Sequence, residues 1–330
     1  MSAFMDKVLS IVNTENEKVN GMIKYIINAP SKLFRPQLGL LLHRFLRTVD
    51  DKNEKSSSHG DSLHSSAPDD IYSDSILHLL RAYEIVHVGT LIHDDVLDDS
   101  DTRRTLKSIH NIVGTKAAIL IGDLMLTRAC HSIILLDSKE LNIRMANSLE
   151  NLIKGELMQV KYSENLQEMF ESYLRKIFLK TASLIAETCA SVAVLRGHGK
   201  EIVEKCYQVG LHIGMSFQIC DDLLDYNSKS HLLGKPVLND LSAGLITLPL
   251  LFAIPDHKEL HGKVKSGLDV ETIMPYVSKS LSFERCKHAL LLHMTEAHRF
   301  LEEIEGSTTL SSEGSAIIRY ALDNVTRVKG

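Results

Sequence analysis

No proline occurs between Pro68 and Pro236, although the chain has seven in its 330 residues. Proline breaks helix interiors, so this interval can carry several long helices without interruption. Apolar and small residues recur there at helical spacing, as in Ile76, Leu79, Leu80, Tyr83, Val86 and Thr90. No alternating run bounded by hairpin turns competes with them. The expected fold class is all-α.

Two of these helices end in acid. In Leu91-Ile-His-Asp-Asp-Val-Leu-Asp-Asp-Ser-Asp-Thr-Arg-Arg104, Asp94 and Asp98 stand one turn apart on one face. In Phe217-Gln-Ile-Cys-Asp-Asp-Leu-Leu-Asp225, Asp221 and Asp225 repeat the spacing. Carboxylates held that close repel each other unless a cation lies between them. At a helix C-terminus they also oppose the macrodipole, so stability does not account for them. Duplicated on two apolar helices, the pattern reads as a polymetal site. Carboxylates without a His or Cys set favour a hard cation, and magnesium suits them because it commonly joins carboxylates to phosphates.

A net charge of -5 and the lack of a basic run argue against a nucleic-acid surface. Five cysteines, Cys130, Cys189, Cys206, Cys220 and Cys286, form no CxxC pair and suit a reducing compartment. No apolar run of membrane-spanning length is expected, so the reading is a chain without a transmembrane segment. Met1 to Asn28 has no secretory h-region, and Asp6, Glu15 and Glu17 speak against an acid-poor transit peptide.

In order, the pattern predicts a helix over Met1 to Asn28 and a second opened by Lys32-Leu33-Phe34-Arg35-Pro36. A polar low-complexity loop, 50–70, interrupts a single domain spanning 1–330. Helices follow over 71–98, 117–136, 149–160, 170–195 and 201–225, then a loop over 226–239. The tail, 289–305 and 313–328, is amphipathic and is expected to pack on the outside. Lys32, Arg35, Arg103, Arg104, Lys180 and Lys235 flank the acid-tipped helix ends. As a set they suggest two anionic pockets, one built around metal and one around arginines. His87 by itself reads either as a core histidine or as a ligand.

The LIHDDVLDDSDTRR segment, FQICDDLLDYNSKSHLLGKPVLNDLSAGLITLP and SKLFRP together resemble the trans-isoprenyl diphosphate synthases. The 155–195 segment, beginning GELMQVKYSENLQEMF, is most similar to long-chain members that make solanesyl or decaprenyl diphosphate for ubiquinone side chains. The resemblance implies a bundle of about ten or more helices around a central cavity. It also implies a prenyltransferase that adds isopentenyl diphosphate to an allylic diphosphate, with a long-chain (C30–C50) product. By the same resemblance Asp94, Asp98 and Asp221 hold about three magnesium ions on the allylic diphosphate, with Asp225 in support. Arg103, Lys180, Thr181, Gln218 and Lys235 would hold that diphosphate or its allyl group. Lys32, Arg35, His87 and Arg104 would bind isopentenyl diphosphate. Asp94, Asp98, Lys180 and Asp221 are the expected catalytic set.

The resemblance further implies a homodimer, or a heteromer with a second synthase subunit, transient membrane contact for product release, and a mitochondrial location with a cytoplasmic alternative. The growing tail would run back along the helix from Asp94 past Thr90, Gly89 and Val86 to Tyr83, roughly 16 Å at 1.5 Å rise per residue. Gly89 and Thr90 are too small to form a floor there, which speaks against the alternative of a short-chain farnesyl or geranylgeranyl diphosphate synthase. A terpene cyclase would replace the second aspartate cluster. The family pattern GKRxRP is altered, with Ser31 for the glycine and Leu33 for the middle basic residue, so a non-catalytic subunit of a heteromeric synthase stays open.

Overall fold

The computed structural model describes residues 2–56, 69–103, 106–158, 160, 162–226, 241, 244–267 and 269–325. Among these described residues it is all-α apart from one hairpin of two two-residue strands. The elements are α1 (Ser2–Val12), α2 (Glu17–Ile27), α3 (Phe34–Ser56), α4 (Asp69–Leu97), β1 (Thr102–Arg103), β2 (Leu106–Lys107), α5 (His110–Val113), α6 (Thr115–Ile134) and α7 (Lys139–Leu157). There follow α8 (Leu166–Ile177), a π turn (Phe178–Ala182), α9 (Ser183–Leu195), α10 (Lys200–Asp225), α11 (Leu248–Ala253), α12 (Lys258–Ser266), α13 (Val270–Lys279), α14 (Ser282–Glu305) and α15 (Ser312–Val325). Two compact units divide them: 1–150 with 187–206, and 151–186 with 207–330.

In the first unit the main packing is α4 against α6. Glycine permits their approach. A Cβ on Gly122 would lie 2.2 Å from His93 Nε2, and one on Gly89 would lie 3.1 Å from Leu126 Cδ2 and 3.4 Å from the Gly122 carbonyl oxygen. The α4 core face, Ile76, Leu79, Leu80, Tyr83, Val86 and Ile92, is buried as the 3.6-residue period requires. In the second unit α14 packs on α11 and buries Cys286, Leu290, Met294, Ala297, Leu301 and Ile304.

Several expectations need correction. The N-terminal helix is two helices, because Asn16 caps α2 by accepting from the Lys18 and Val19 amides, and Thr14 and Asn20 tie the intervening turn. Helix α3 continues to Ser56, into the stretch read as loop; 57–68 lies outside the described residues, as does most of the expected 226–239 loop. Helix α7 begins ten residues earlier than the pattern suggested. Helix α14 is amphipathic as expected, with Leu291 and Leu292 exposed on one side and the face of Leu290, Met294 and Leu301 buried, and α11 is what it packs against. Two helical runs are long and apolar enough to cross a membrane by length and composition, contrary to expectation: Thr115–Ile134 and Leu166–Leu195. The second is 83% buried over its apolar window, as a core helix is, and the first 39%.

Candidate active site

Helix α4 delivers the first cluster in its last turn. The Asp98 amide donates to the Asp94 carbonyl at 2.8 Å, so the helical geometry that sets their side chains on one face persists through Asp98. Asp94 is half-buried and Asp98 exposed, while Asp95, between them, is 4% exposed. Its Oδ1 accepts from Arg103 Nη2 at 2.5 Å and Nε at 2.6 Å. Two donors of one guanidinium on one oxygen fix the arginine's direction. The short hairpin, with Thr102 opposite Lys107 and Arg103 opposite Leu106, carries this arginine, and the Tyr25 hydroxyl donates to the Lys107 carbonyl at 2.9 Å. An apolar pocket lined by Tyr25, Ala29, Leu91, Ile92 and Leu106 backs onto the pair.

The second unit repeats the plan on α10. Asp221 is exposed and Asp225 half-buried, and Asp222 between them is 3% exposed. Asp222 accepts from the Tyr173 hydroxyl at 2.5 Å and from Gln218 Nε2 at 2.9 Å. Gln218 Oε1 in turn accepts from the Thr181 hydroxyl at 2.6 Å. Thr181 and Lys180 lie on the π turn, where the extra residue per turn redirects the side chains of an otherwise α-helical run. Two glycines fit that turn: a Cβ on Gly155 would lie 2.9 Å from the Lys180 amide nitrogen, and one on Gly214 would lie 2.6 Å from Ala182 Cα. Lys180 Nζ pairs with Glu156.

In each cluster, therefore, the second aspartate is buried and held by side-chain donors, Arg103 in the first and Tyr173 with Gln218 in the second. The donor chemistry fits magnesium. Each pair offers oxygens only, one turn apart, at the negative end of a helix dipole that a cation would relieve. Among the described residues no three His, Cys, Asp or Glu side chains converge, so an ion at either pair would take its remaining oxygens from substrate and water.

The remaining candidates fall as follows. Arg35 is buried in the first turn of α3, and Lys32 precedes it with its carbonyl accepting from Gln37 Nε2 at 3.0 Å. Leu33, where the family pattern has a basic residue, is a core side chain 3% exposed with φ 48°; its burial offsets the strain of that backbone. His87 is half-buried two turns before Asp94, its carbonyl accepting from the Thr90 hydroxyl at 2.9 Å. Val86 is buried, and so is Tyr83, whose hydroxyl meets Ser191 Oγ at 2.7 Å. Gly89 is explained by the α4–α6 approach, so its small size alone is no evidence of an open tunnel. Arg104 and Lys235 lie outside the described residues. Sequence reasoning missed Asp95, Asp222 and Tyr173. The adjacent acid in each DD doublet was a visible signal, but its partners were not.

An all-α chain with two aspartate pairs at helix ends, the first beside Arg103, is the architecture of a diphosphate-handling transferase. Residues 16–273 match the polyprenyl synthetase family. The chain is 33% identical to mitochondrial solanesyl-diphosphate synthase 1 of Oryza sativa subsp. japonica, over 99% of this chain and 75% of that protein. It is 31% identical to all trans-polyprenyl-diphosphate synthase PDSS1 of Mus musculus, over 96% and 74% respectively. The heptaprenyl diphosphate synthase of Staphylococcus aureus superposes with a TM-score of 0.82 at 25% identity, covering 99% of this chain and 97% of that one. A decaprenyl diphosphate synthase from Rhodobacter capsulatus shares the fold, with a TM-score of 0.81 at 24% identity over 100% and 96%. The chain belongs to the polyprenyl synthetase family and is a prenyltransferase.

Proposed function

We propose that this chain is a magnesium-dependent all-trans-polyprenyl diphosphate synthase that condenses isopentenyl diphosphate head-to-tail onto an allylic diphosphate and releases a long-chain product for the ubiquinone side chain. The observation that carries the reading is the doubled cluster, in which a buried aspartate orients neighbouring groups while its flanking aspartates sit at the helix end. Relatives that make solanesyl and hexaprenyl chains, two of them mitochondrial by name, support the product class and a mitochondrial location. The family match runs through both compact units, which supports one synthase domain.

Asp94 and Asp98, and Asp221 with Asp225, are the residues that would hold magnesium. When bound, the metal would neutralise charge on the departing diphosphate. Arg103, aimed by Asp95, and Lys180, seated on the π turn, each add positive charge for the diphosphate. Thr181 and Gln218 hold each other in place and orient the allylic group, with Lys235 assigned to the same diphosphate by resemblance. Lys32, Arg35, His87 and Arg104 take isopentenyl diphosphate. The allylic carbon–oxygen bond breaks, the isopentenyl double bond attacks the allylic carbon, and loss of a proton restores an allylic diphosphate one unit longer. Exclusion of water from the reacting carbons would keep the cation from being quenched.

Exposed apolar residues of the first unit, Ile112 on α5, Leu120 on α6 (59% exposed) and Ile143 on α7, support a homodimer. Incubating the purified chain with magnesium, farnesyl diphosphate and labelled isopentenyl diphosphate, then sizing the products, tests the function. Products in the C30–C50 range are expected. A stop at C15 or C20 would favour the short-chain reading, and activity only after adding a second subunit would favour the heteromeric one.

Tyr83, with Val86 above it, is our candidate for the floor that ends chain growth. Tyr83→Ala removes the ring and its bond to Ser191 and is expected to shift the product distribution to longer chains. An unchanged distribution from a folded variant would remove Tyr83 from that role.

A further inference from the structure

We propose that a cleft walled by α1, the first half of α4 and the C-terminal end of α6 binds a phosphate-type anion through Arg81 and Lys7. The cleft measures about 410 Å³ and is lined by Lys7, Ile11, Asp74, His78, Arg81 and Leu135 among others. On α4, Arg81 precedes Asp94 by a distance of roughly 20 Å at the helical rise, so the cleft is separate from the aspartate cluster of the same helix.

Arg81 is 5% exposed, and its Nε is buried without a hydrogen-bond partner among the described residues. The Phe4 ring centroid lies 5.4 Å from the guanidinium carbon, but an aromatic face carries no charge to pair with it. A buried cation that lacks a bonded anion is unfavourable, and burial draws the Arg81 pKa below its usual value while Asp74 partly restores it. Asp74 is itself exposed and stands 3.7 Å from Lys7 Nζ, a contact that solvent screens. Lys7 adds a second cation at the cleft mouth. His78 is held against the wall, its Nε2 2.7 Å from Ser132 Oγ.

Among the described residues that line it, two cations against one exposed carboxylate leave a net positive cleft. The forked donors of the guanidinium match the oxygens of a phosphate, and the volume leaves room for an attached organic group. The apolar wall of Ile11, Leu135 and Leu136 would contact that group. The phosphate could be free in solution or part of a phospholipid headgroup, and the exposed Ile134 and Leu135 at the end of α6 lie where acyl chains would meet the second source.

The test is calorimetric titration of the full chain with inorganic phosphate, without magnesium, using wild type, Lys7→Gln, Arg81→Gln and Arg103→Gln. One binding event should survive Arg103→Gln and weaken by about tenfold or more in both Lys7→Gln and Arg81→Gln. Lys7 is exposed, so its variant keeps the fold even if the Arg81 variant does not. Flotation with phosphatidylcholine vesicles, with and without phosphatidic acid, separates the sources. Phosphatidic-acid-dependent flotation lost in Lys7→Gln assigns the headgroup, and phosphate binding without flotation assigns a soluble ligand. Phosphate and vesicle binding both indifferent to Lys7→Gln would overturn the proposal. Because no step requires turnover or metal, failure here leaves the synthase reading untouched.

Discussion

Asp94→Asn and Asp221→Asn are each expected to lower kcat by about 10²- to 10³-fold or more, with the fold and the melting temperature retained. Each substitution keeps the size of the side chain and removes one negative charge from a pair at a helix C-terminus. Removing that charge relieves repulsion along α4 or α10, so stability should hold or rise slightly while metal affinity falls. The accompanying signature is a higher magnesium requirement, read from rate against metal concentration at saturating substrates. Asp99→Asn is the control. Asp99 is exposed and lies past the end of α4 with φ 49°, off the face that carries Asp94 and Asp98, so its variant should turn over at nearly the wild-type rate. If Asp94→Asn or Asp221→Asn kept wild-type kcat and magnesium dependence, the metal assignment would be wrong.

The helices between Pro68 and Pro236 were legible because proline is missing where they run and because apolar residues recur in them at helical spacing. The 3.6-residue period located α4 and α10 to within a few residues. It failed where the deciding interaction is a single polar contact. The break before α2 turns on Asn16 accepting two amides, a capping signal present in the sequence but overridden by continuous apolar spacing around it. It failed also for the location of a face: the spacing of Cys286, Leu290, Met294 and Ala297 shows that α14 buries a side, and only packing on α11 shows against what.

At the site, same-face geometry made Asp94 with Asp98 and Asp221 with Asp225 readable, since a four-residue spacing needs no tertiary information. Thr181 and Gln218 came from resemblance, as separate residues of the allylic site, and the structure adds a 2.6 Å hydrogen bond between them. The duties of Asp95 and Asp222 were not readable. Which of two adjacent acids faces inward depends on the rotation of the helix against its neighbours; Arg103 folds back onto Asp95 from eight residues on, and Tyr173 reaches Asp222 from 49 residues away. The π turn was equally hidden, because Phe178-Leu-Lys-Thr-Ala182 has no composition that separates it from α-helix.

That turn makes Gly214→Ala the second large effect. A Cβ at 214 would sit 2.6 Å from Ala182 Cα and 2.9 Å from Ala182 Cβ, closer than real contacts permit, and backbone rather than a flexible side chain must yield. Overpacking of this kind costs about 1–3 kcal/mol, so the melting temperature should drop by several degrees. The catalytic loss should exceed what that destabilisation accounts for. Relief of the clash pushes the π turn away from α10, and Lys180 and Thr181 move with it; displacement of a positioned group by about 1 Å lowers rates by as much as 10²-fold. Assayed well below its melting temperature, Gly214→Ala should therefore show a depressed kcat with the Thr181–Gln218 contact broken. Thr181→Val supplies the comparison: it removes the hydroxyl without moving the backbone and should give a smaller kcat loss. Equal losses in the two variants would mean that the turn's position contributes nothing beyond that one hydrogen bond.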